Sequence, residues 1–446
     1  MSWLMLSDIA QMANGELIGN DVMINAVSTD SRAVKNDEIF IALVGERFDA
    51  HDFIADFENK AAAIFVSKQM DVELPQVLVD DTRLAMGRLA AAWRQRFTKP
   101  VIGLTGSNGK TTLKEMLTAV LSQNANVLAT KGNLNNDIGM PLTLLEIREE
   151  HEFAVIEMGA NHFGEIAYLT NISRPDIAVI NNAGPAHLEG FGDIKGVSRA
   201  KGEIFNGLSE EGIAVINQDD TYAEYWVELN TERRIMGFGL QGEADVTGQY
   251  HGGGKLTINS KGNTIEVQLN LLGKHNAMNA LAATALASVL NIELTQIKQG
   301  LESLQAVPGR LALQQGQQGI TLIDDTYNAN PSSAKAGIDV LAEMSGSRMM
   351  ILGDMGELGD DVAALHGEIG VHAKQAGIES LFCLGEYSKQ ACAEFGEQEH
   401  AFDDLDEMLN VIKSKLQSDM TILVKGSRSM RMERVISALQ QPQEGV

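Results

Sequence analysis

The chain has 446 residues, which at roughly 150 per domain makes about three domains, each long enough to bury its own core, and excludes a single small module. Thirty-five Lys+Arg against 60 Asp+Glu leave a net charge of −25, a field that repels phosphate backbones and anionic bilayers, so neither nucleic acid nor a membrane surface is expected as a partner. The two cysteines, Cys383 and Cys392, are too few for a disulfide framework or a thiolate zinc site. They read as packing residues on a strand and a helical segment of a protein in a reducing cytoplasm. Residues 1–8 lack a basic start and a sustained apolar core, so no secretory signal is expected, and no apolar run approaches the ~18 residues of a membrane span.

In chain order, the first strong helical pattern runs from Thr82 to Phe97 and stops before Lys99-Pro100, where a first seam is expected, giving a domain over residues 1–98. Apolar bursts then alternate with helical patterns: Val101 to Leu104 before a helix from Lys110, Ala154 to Ile156 before a helix near Ile166, and Ile177 to Asn181. This alternation predicts an α/β fold with mainly parallel sheets. Residues 232–272, rich in Gly, Thr and alternating apolar residues, predict an antiparallel excursion. Pro308-Gly309-Arg310 marks a second seam, separating a central domain, 99–310, from a third, 311–446, which opens with a strand pair around Leu311 and Ile320 to Asp324.

The strongest local signal is residues 101–112, Val-Ile-Gly-Leu-Thr-Gly-Ser-Asn-Gly-Lys-Thr-Thr: a buried strand, a glycine-rich turn and a helix start. Gly106, Ser107, Asn108 and Gly109 let backbone N–H groups converge on phosphate oxygens at a helix N-terminus. Lys110 then neutralises β/γ charge, and Thr111, with Thr112 behind it, offers a hydroxyl to Mg²⁺. Leu104 stands where the usual spacing has its first glycine, so the loop is a variant. It predicts a nucleoside triphosphate site.

Three further residues stand where open α/β sheets place their chemistry. Glu157 ends the 154–156 strand and is either a Mg²⁺ ligand or an ordinary strand-end acid. His187 follows the 177–181 strand, and spacing alone favours a structural histidine. Lys201, in Arg199-Ala200-Lys201-Gly202-Glu203, reads on pattern alone as a lysine on a helix surface.

Taken together, a series of ordered motifs resembles the Mur ligase family along essentially the whole chain. They are the segments 28–32 and 45–53, the variant loop, residues 132–139, the Glu157 and His187 segments, residues 273–280, 308–310, 324–331 and 425–428. The resemblance implies three domains: an N-terminal uridine-nucleotide domain, a central P-loop ATPase and a C-terminal Rossmann-like domain. No Asp-Asn-Pro-Arg string, the mark of the member that adds a diamino acid, occurs in the third domain. Tyr327-Asn328-Ala329-Asn330 and Lys425-Gly426-Ser427-Arg428 are similar instead to the member that adds D-alanyl-D-alanine to a UDP-N-acetylmuramoyl-tripeptide. The diamino-acid-adding activity, or a P-loop switch that ligates nothing, are the alternatives.

The resemblance further implies ATP, two Mg²⁺ ions and an acyl-phosphate route. It places Thr111 and Glu157 at one metal and His187 and Lys201 at the other, with Lys201 carbamylated and so no longer a surface lysine. His275, Asn276 and Asn279 are implied on the adenine side, Arg310 and Asp325 on the phosphates and ribose. Lys425, Ser427 and Arg428 would meet the dipeptide carboxylate near Tyr327, Asn328 and Asn330. Asn135 and Asn136 would contact the muramoyl peptide, and Ser31, Arg32, Arg47, Asp49 and His51 would form the uridine diphosphate pocket. A monomer is expected.

Overall fold

The computed structural model describes residues 4–45 and 47–440; residues 1–3, Glu46 of the 45–53 segment and residues 441–446 lie outside it. The described residues form three large sheets and one two-stranded pair. The first sheet runs in the order Glu16–Ile18, Gln76–Leu78, Ala63–Val66, Glu38–Ile41, Ala26–Ser28, parallel except for the edge strand Glu16–Ile18.

The second sheet has nine strands, and its geometry follows from the apolar run Val101–Thr105, buried at every position. A strand without polar alternation must be covered on both faces, which places it in the middle of a parallel sheet. It lies between Phe153–Glu157 and Ile177–Ile180, with Glu157 level with Leu104 and Ile180 level with Thr105. From Val101–Thr105 the sheet grows one way to Val127–Ala129 and the other way through Ile213–Asn217, so the strand order reverses there. Loops leaving the three C-terminal strand ends therefore open a crevice at residues 106–109, 158–164 and 181–187.

The excursion expected over 232–272 is narrower than the composition suggested. Arg234–Gly239 and Val246–Tyr250 continue the parallel sheet, and antiparallel pairing begins only with Lys255–Ser260 and Asn263–Gln268. Arg234–Gly239 is buried from Met236 to Gly239 without alternation, whereas Lys255–Ser260 alternates buried and exposed residues, the mark of a sheet solvated on one face.

The third sheet runs Ala312–Gln315, Thr321–Asp325, Thr421–Lys425, Arg348–Gly353, Ser380–Leu384, Ala401–Phe402, with only the first strand antiparallel. Thr421–Lys425 sits between Thr321–Asp325 and Arg348–Gly353, so loops 326–330, 354–358 and 426–429 share one edge. Cys383 and Cys392 are buried on a strand and a helix, as read from the sequence.

The three sheets are joined unequally. Helix Thr82–Arg94 packs Ala85, Met86, Leu89 and Ala90 into one apolar core that runs from Leu4 to Trp226 and spans the first two sheets. Each large side chain so buried contributes about 2 kcal/mol. The helix stops at Arg94, short of the expected Phe97, because Arg94 turns its guanidinium onto the carbonyls of Phe97, Ser173 and Arg174 and the carboxylate of Asp176. The third sheet is tied to the second by polar contacts, Asn330 to Asn108 and Tyr250 to Glu343 at 3.1 Å, with Arg310 of the seam on Thr111, and by Leu272 packed against the third sheet's apolar core. Polar seams of this kind permit relative motion that a shared apolar core does not.

Candidate active site

A cleft of about 1650 Å³ lies where the crevice of the second sheet faces the loop edge of the third. At its floor the loop 106–109 turns into helix Lys110–Leu121 through Gly109, at φ 78°. A Cβ on Gly109 would stand 2.5 Å from Asn279 Oδ1 and 2.7 Å from Asn181 Nδ2, so close approach and positive φ both require glycine. Buried asparagines fix the loop: Asn181 and Asn182 donate to Asn108 O at 2.9 and 3.0 Å, and Asn181 donates to Asn279 Oδ1 at 2.7 Å. Ser107 hydrogen-bonds with the backbone of Gly184 through both its hydroxyl roles.

Lys110 Nζ curls back to donate to Gly106 O at 2.7 Å, which holds the ammonium over the loop. Burial lowers its pKa, Glu157 opposes that, and the charge on Arg310 adds to it. Thr111 Oγ1 donates to Glu157 Oε2 at 3.1 Å, and Asn135 Nδ2 donates to Glu157 Oε1 at 2.7 Å. Glu157 is 1 % exposed, and its backbone N–H donates to Thr130 Oγ1, so the strand-end acid is an oriented, buried carboxylate. Thr111 and Glu157 thus present adjacent hard oxygens, a donor pair that fits Mg²⁺ when phosphate and water complete the shell. Among the described residues no cluster of three His, Cys, Asp or Glu is assembled for a metal.

Lys201 does not lie on a helix surface: it is 2 % exposed on helix Ile194–Gly202. Its ammonium makes no hydrogen bond or ion pair among the described residues, and burial and then Lys110 hold its pKa well below the usual lysine range. His187 lies in the left-handed region at φ 54°, its Nδ1 2.5 Å from a carboxylate oxygen of Glu357 on the third sheet's loop edge. Burial depresses its pKa, Glu357 opposes, and Lys110 and Lys201 add to the fall.

On the far wall, helix Lys274–Val289 begins with His275, Asn276 and Asn279; Asn279 donates to Asn276 Oδ1 at 3.2 Å. His275 is held to a pKa of about 4 by burial and by Lys425. Across the seam, Arg310 donates to Thr111 Oγ1 at 3.1 Å and its guanidinium lies 4.2 Å from the centre of the Tyr327 ring.

Several expected ligand contacts are already engaged within the protein. Lys425 is 2 % exposed and donates to Asp325 Oδ2 at 2.6 Å and to Asn328 O at 2.9 Å. Burial raises the Asp325 pKa and Lys425 counters it. Asn330 caps helix Pro331–Ala342 and donates to Asn108 Oδ1 at 2.8 Å, bridging the seam. Asn136 caps the turn into helix Gly139–Leu145 through the Gly139 N–H at 2.9 Å. Ser427 and Arg428 line the cleft, and Arg428 pairs at 3.3 Å with Glu433.

The expected uridine-pocket residues do not reach this cleft. Arg32 is paired with Asp30 at the surface, Ser31 is half-buried and Arg47 is exposed. His51 is buried, accepting from Ser67 N at 3.0 Å while its Nδ1 lies 2.5 Å from Asp49 Oδ1; Asp49 also receives Lys68 at 3.0 Å. Sequence reasoning overlooked Asn181, Thr130 and Glu357. The signal for Asn181 was a polar amide ending an apolar strand. For Glu357 it was the glycine-rich exit Gly353-Asp354-Met355-Gly356-Glu357-Leu358-Gly359, of the same kind as the phosphate loop.

Comparison with known proteins agrees with this architecture. The Mur ligase middle domain matches residues 104–287 and the Mur ligase, glutamate ligase domain matches residues 309–428. The UDP-N-acetylmuramoyl-tripeptide–D-alanyl-D-alanine ligase of Escherichia coli is 46% identical over 444 residues, 98% of each chain. A crystal structure of MurF from Acinetobacter baumannii superposes with TM-score 0.92 at 37% identity over 98% of each chain. The MurF ligase of Thermotoga maritima in complex with ADP superposes with TM-score 0.83 at 29% identity, covering 93% of this chain and 96% of that one. With the fold, the phosphate loop and full-length relatives in agreement, the chain belongs to the Mur ligase family.

Proposed function

We propose that this protein is an ATP-dependent amide-forming ligase that joins D-alanyl-D-alanine to UDP-N-acetylmuramoyl-tripeptide, yielding the pentapeptide nucleotide, ADP and phosphate. The observation that carries the substrate pair is the 46% identity along 98% of the chain to the relative of that name. The cleft supports the chemistry. A carboxylate is a poor acylating agent, so its oxygen first takes the γ-phosphoryl group and becomes an acyl phosphate. The dipeptide amine then adds to the acyl carbon, and phosphate departs with the C–O electron pair.

Lys110 and the loop N–H groups hold the phosphates, and Arg310 reaches them from the seam before the third body, because phosphoryl transfer depends on positioning and on charge placed where it develops. His275, Asn276 and Asn279 take the adenine side, Asp325 the ribose. Thr111 and Glu157 would hold one Mg²⁺ ion, His187 and Lys201 the second; the ions supply charge neutralisation to the phosphates. An ammonium repels such an ion, so Lys201 fits only as a carbamate. Burial beside Lys110 favours its neutral amine, the form that adds CO₂ and loses one proton to leave an anionic oxygen donor.

We assign the three bodies as residues 1–98 for the uridine end of the nucleotide, 99–310 for ATP, and 311–446 for the dipeptide. Ser31, Arg32, Arg47, Asp49 and His51 are assigned to the uridine end, Asn135 and Asn136 to the muramoyl peptide. Tyr327, Asn328, Asn330, Lys425, Ser427 and Arg428 shape the dipeptide pocket, with Lys425 acting through Asp325 and Asn328. The enzyme is placed in the cytoplasm, where ATP and nucleotide-linked precursors meet, and no helix of the described residues is long and apolar enough to cross a membrane. The test is isotopic: ¹⁸O in the tripeptide's terminal carboxylate should appear in the released phosphate. Label absent from phosphate in a reaction that forms the amide would refute acyl-phosphate activation.

A further inference from the structure

The dipeptide is a zwitterion, and a site that fixes its direction needs an anion for its ammonium as well as a cation for its carboxylate. Carboxylates are plentiful along the cleft, but most are engaged away from the seam that the third body forms with the second. Glu157 is bonded by Thr111 and Asn135, Asp325 by Lys425, and Asp137 by Arg83. Asp219 takes the N–H groups of Leu240 and Gln241, and Glu165 those of Asn161 and His162. Glu357 differs. Its side chain is 59% exposed, and among the described residues its carboxylate pairs with His187, on the opposite body.

Its position is built rather than incidental. Glu357 holds φ 60°, a left-handed conformation that a non-glycine residue adopts against steric cost, and this aims it across the seam. The loop that carries it is tied to the loop carrying Ser427 and Arg428: Ser427 N donates to Asp354 O at 2.9 Å, and a Cβ on Gly356 would stand 3.9 Å from Ser427 Cβ. Arg428 and Glu357 are therefore a cation and an anion on adjoining loops, on one edge of one sheet. A dipeptide spans about 7 Å when extended, which suits two neighbouring loops. The Glu357 end of that pair faces His187, whose lysine neighbours are Lys110 and Lys201 of the phosphate site.

We infer that Glu357 binds the ammonium of the incoming dipeptide and sets its nitrogen toward the activated carboxyl group, while Ser427 and Arg428 hold the far carboxylate. This rests on the ligase reading above and assigns that reading its specificity-determining anion. Two consequences follow. Acceptors must carry a free amine with a carboxylate one peptide unit away, and an acceptor lacking the ammonium loses its advantage of charge while keeping the same shape.

The experiment measures dissociation constants by calorimetry for the intact enzyme with a non-hydrolysable ATP analogue and the tripeptide nucleotide. The two probes are D-alanyl-D-alanine and propanoyl-D-alanine, which is the dipeptide with its ammonium replaced by hydrogen. Wild type should prefer the zwitterion by roughly 30-fold, the scale of a close charge pair across a binding interface, and Glu357→Gln should reduce that preference to about 3-fold or less with propanoyl-D-alanine affinity unchanged. Glu357→Asp should keep most of the preference. An undiminished preference in Glu357→Gln, or equal weakening of both probes, overturns the assignment while leaving the ligase reading intact. Failure of wild type to bind either probe overturns both.

Discussion

Arg310, just past Pro308-Gly309, donates to the hydroxyl of Thr111 at 3.1 Å, so a side chain of the junction already touches the second residue of the phosphate-loop helix. Stacking on Tyr327 holds the same guanidinium from the other side. The contact sets a positive charge of the seam beside the phosphate loop.

Closure should therefore depend on this arginine. In wild type the radius of gyration should fall when an ATP analogue and both substrates are added, and in Arg310→Ala it should not. Turnover in that variant should drop by about 100-fold, the scale of a lost transition-state donor. Scattering profiles that stay unchanged in wild type would count against closure.

Lys201 should behave as a group that needs CO₂. Lys201→Ala should lose at least about 100-fold in turnover. Wild type stripped of CO₂ should lose activity that bicarbonate restores. Full activity in the variant, or bicarbonate without effect after depletion, contradicts the carbamate.

His275 provides a pH signature in stability. Its native pKa of about 4 lies below the ordinary value near 6.5, so on acidification the unfolded chain binds a proton that the folded chain refuses. Stability should be unaffected by this group above about pH 7 and should fall by up to about 2 kcal/mol between pH 7 and 5. Chemical denaturation of His275→Asn at the two pH values should show a smaller fall than wild type; equal falls would remove His275 as the cause.

Arg94 joins the first body to the second through the carbonyls of Ser173 and Arg174 and the carboxylate of Asp176, and also holds the Phe97 carbonyl of its own body. Arg94→Ala leaves those acceptors without their buried partner and should destabilise the protein by roughly 3 kcal/mol in denaturant unfolding. A change under about 0.5 kcal/mol would mean that the apolar core around Leu89 carries the junction alone.

Much of this was legible before any coordinates. The run Val101 to Leu104 with its glycine turn announced a central parallel strand and a phosphate loop, because a fully apolar strand and a glycine-rich helix start have few other uses. Glu157 was placed correctly at a strand end, but its burial and its bonds to Thr111 and Asn135 depend on register between strands, which no local pattern encodes. Lys201 shows the limit most plainly. Its neighbours Arg199 and Gly202 look like a solvated helix face, and the lysine is inside through tertiary packing on that helix, where Trp226 Nε1 donates to Ser198 O. Lys425 fails in the opposite way: a basic residue before Ser427 and Arg428 looks free for a ligand, yet pairing between distant strands sets it beside Asp325. Glu357 had only a glycine-rich loop to recommend it, and its meaning came from a contact with a residue 170 positions away.

The most direct test of the central claim is phosphate release from Mg-ATP with UDP-N-acetylmuramoyl-tripeptide, with and without D-alanyl-D-alanine, with the nucleotide product weighed by mass spectrometry. Sustained release that requires both substrates, and a product heavier by one D-alanyl-D-alanine minus water, is the predicted result. Turnover with the dipeptide nucleotide and a free diamino acid but not with this pair would contradict it, and so would silence with every muramoyl peptide.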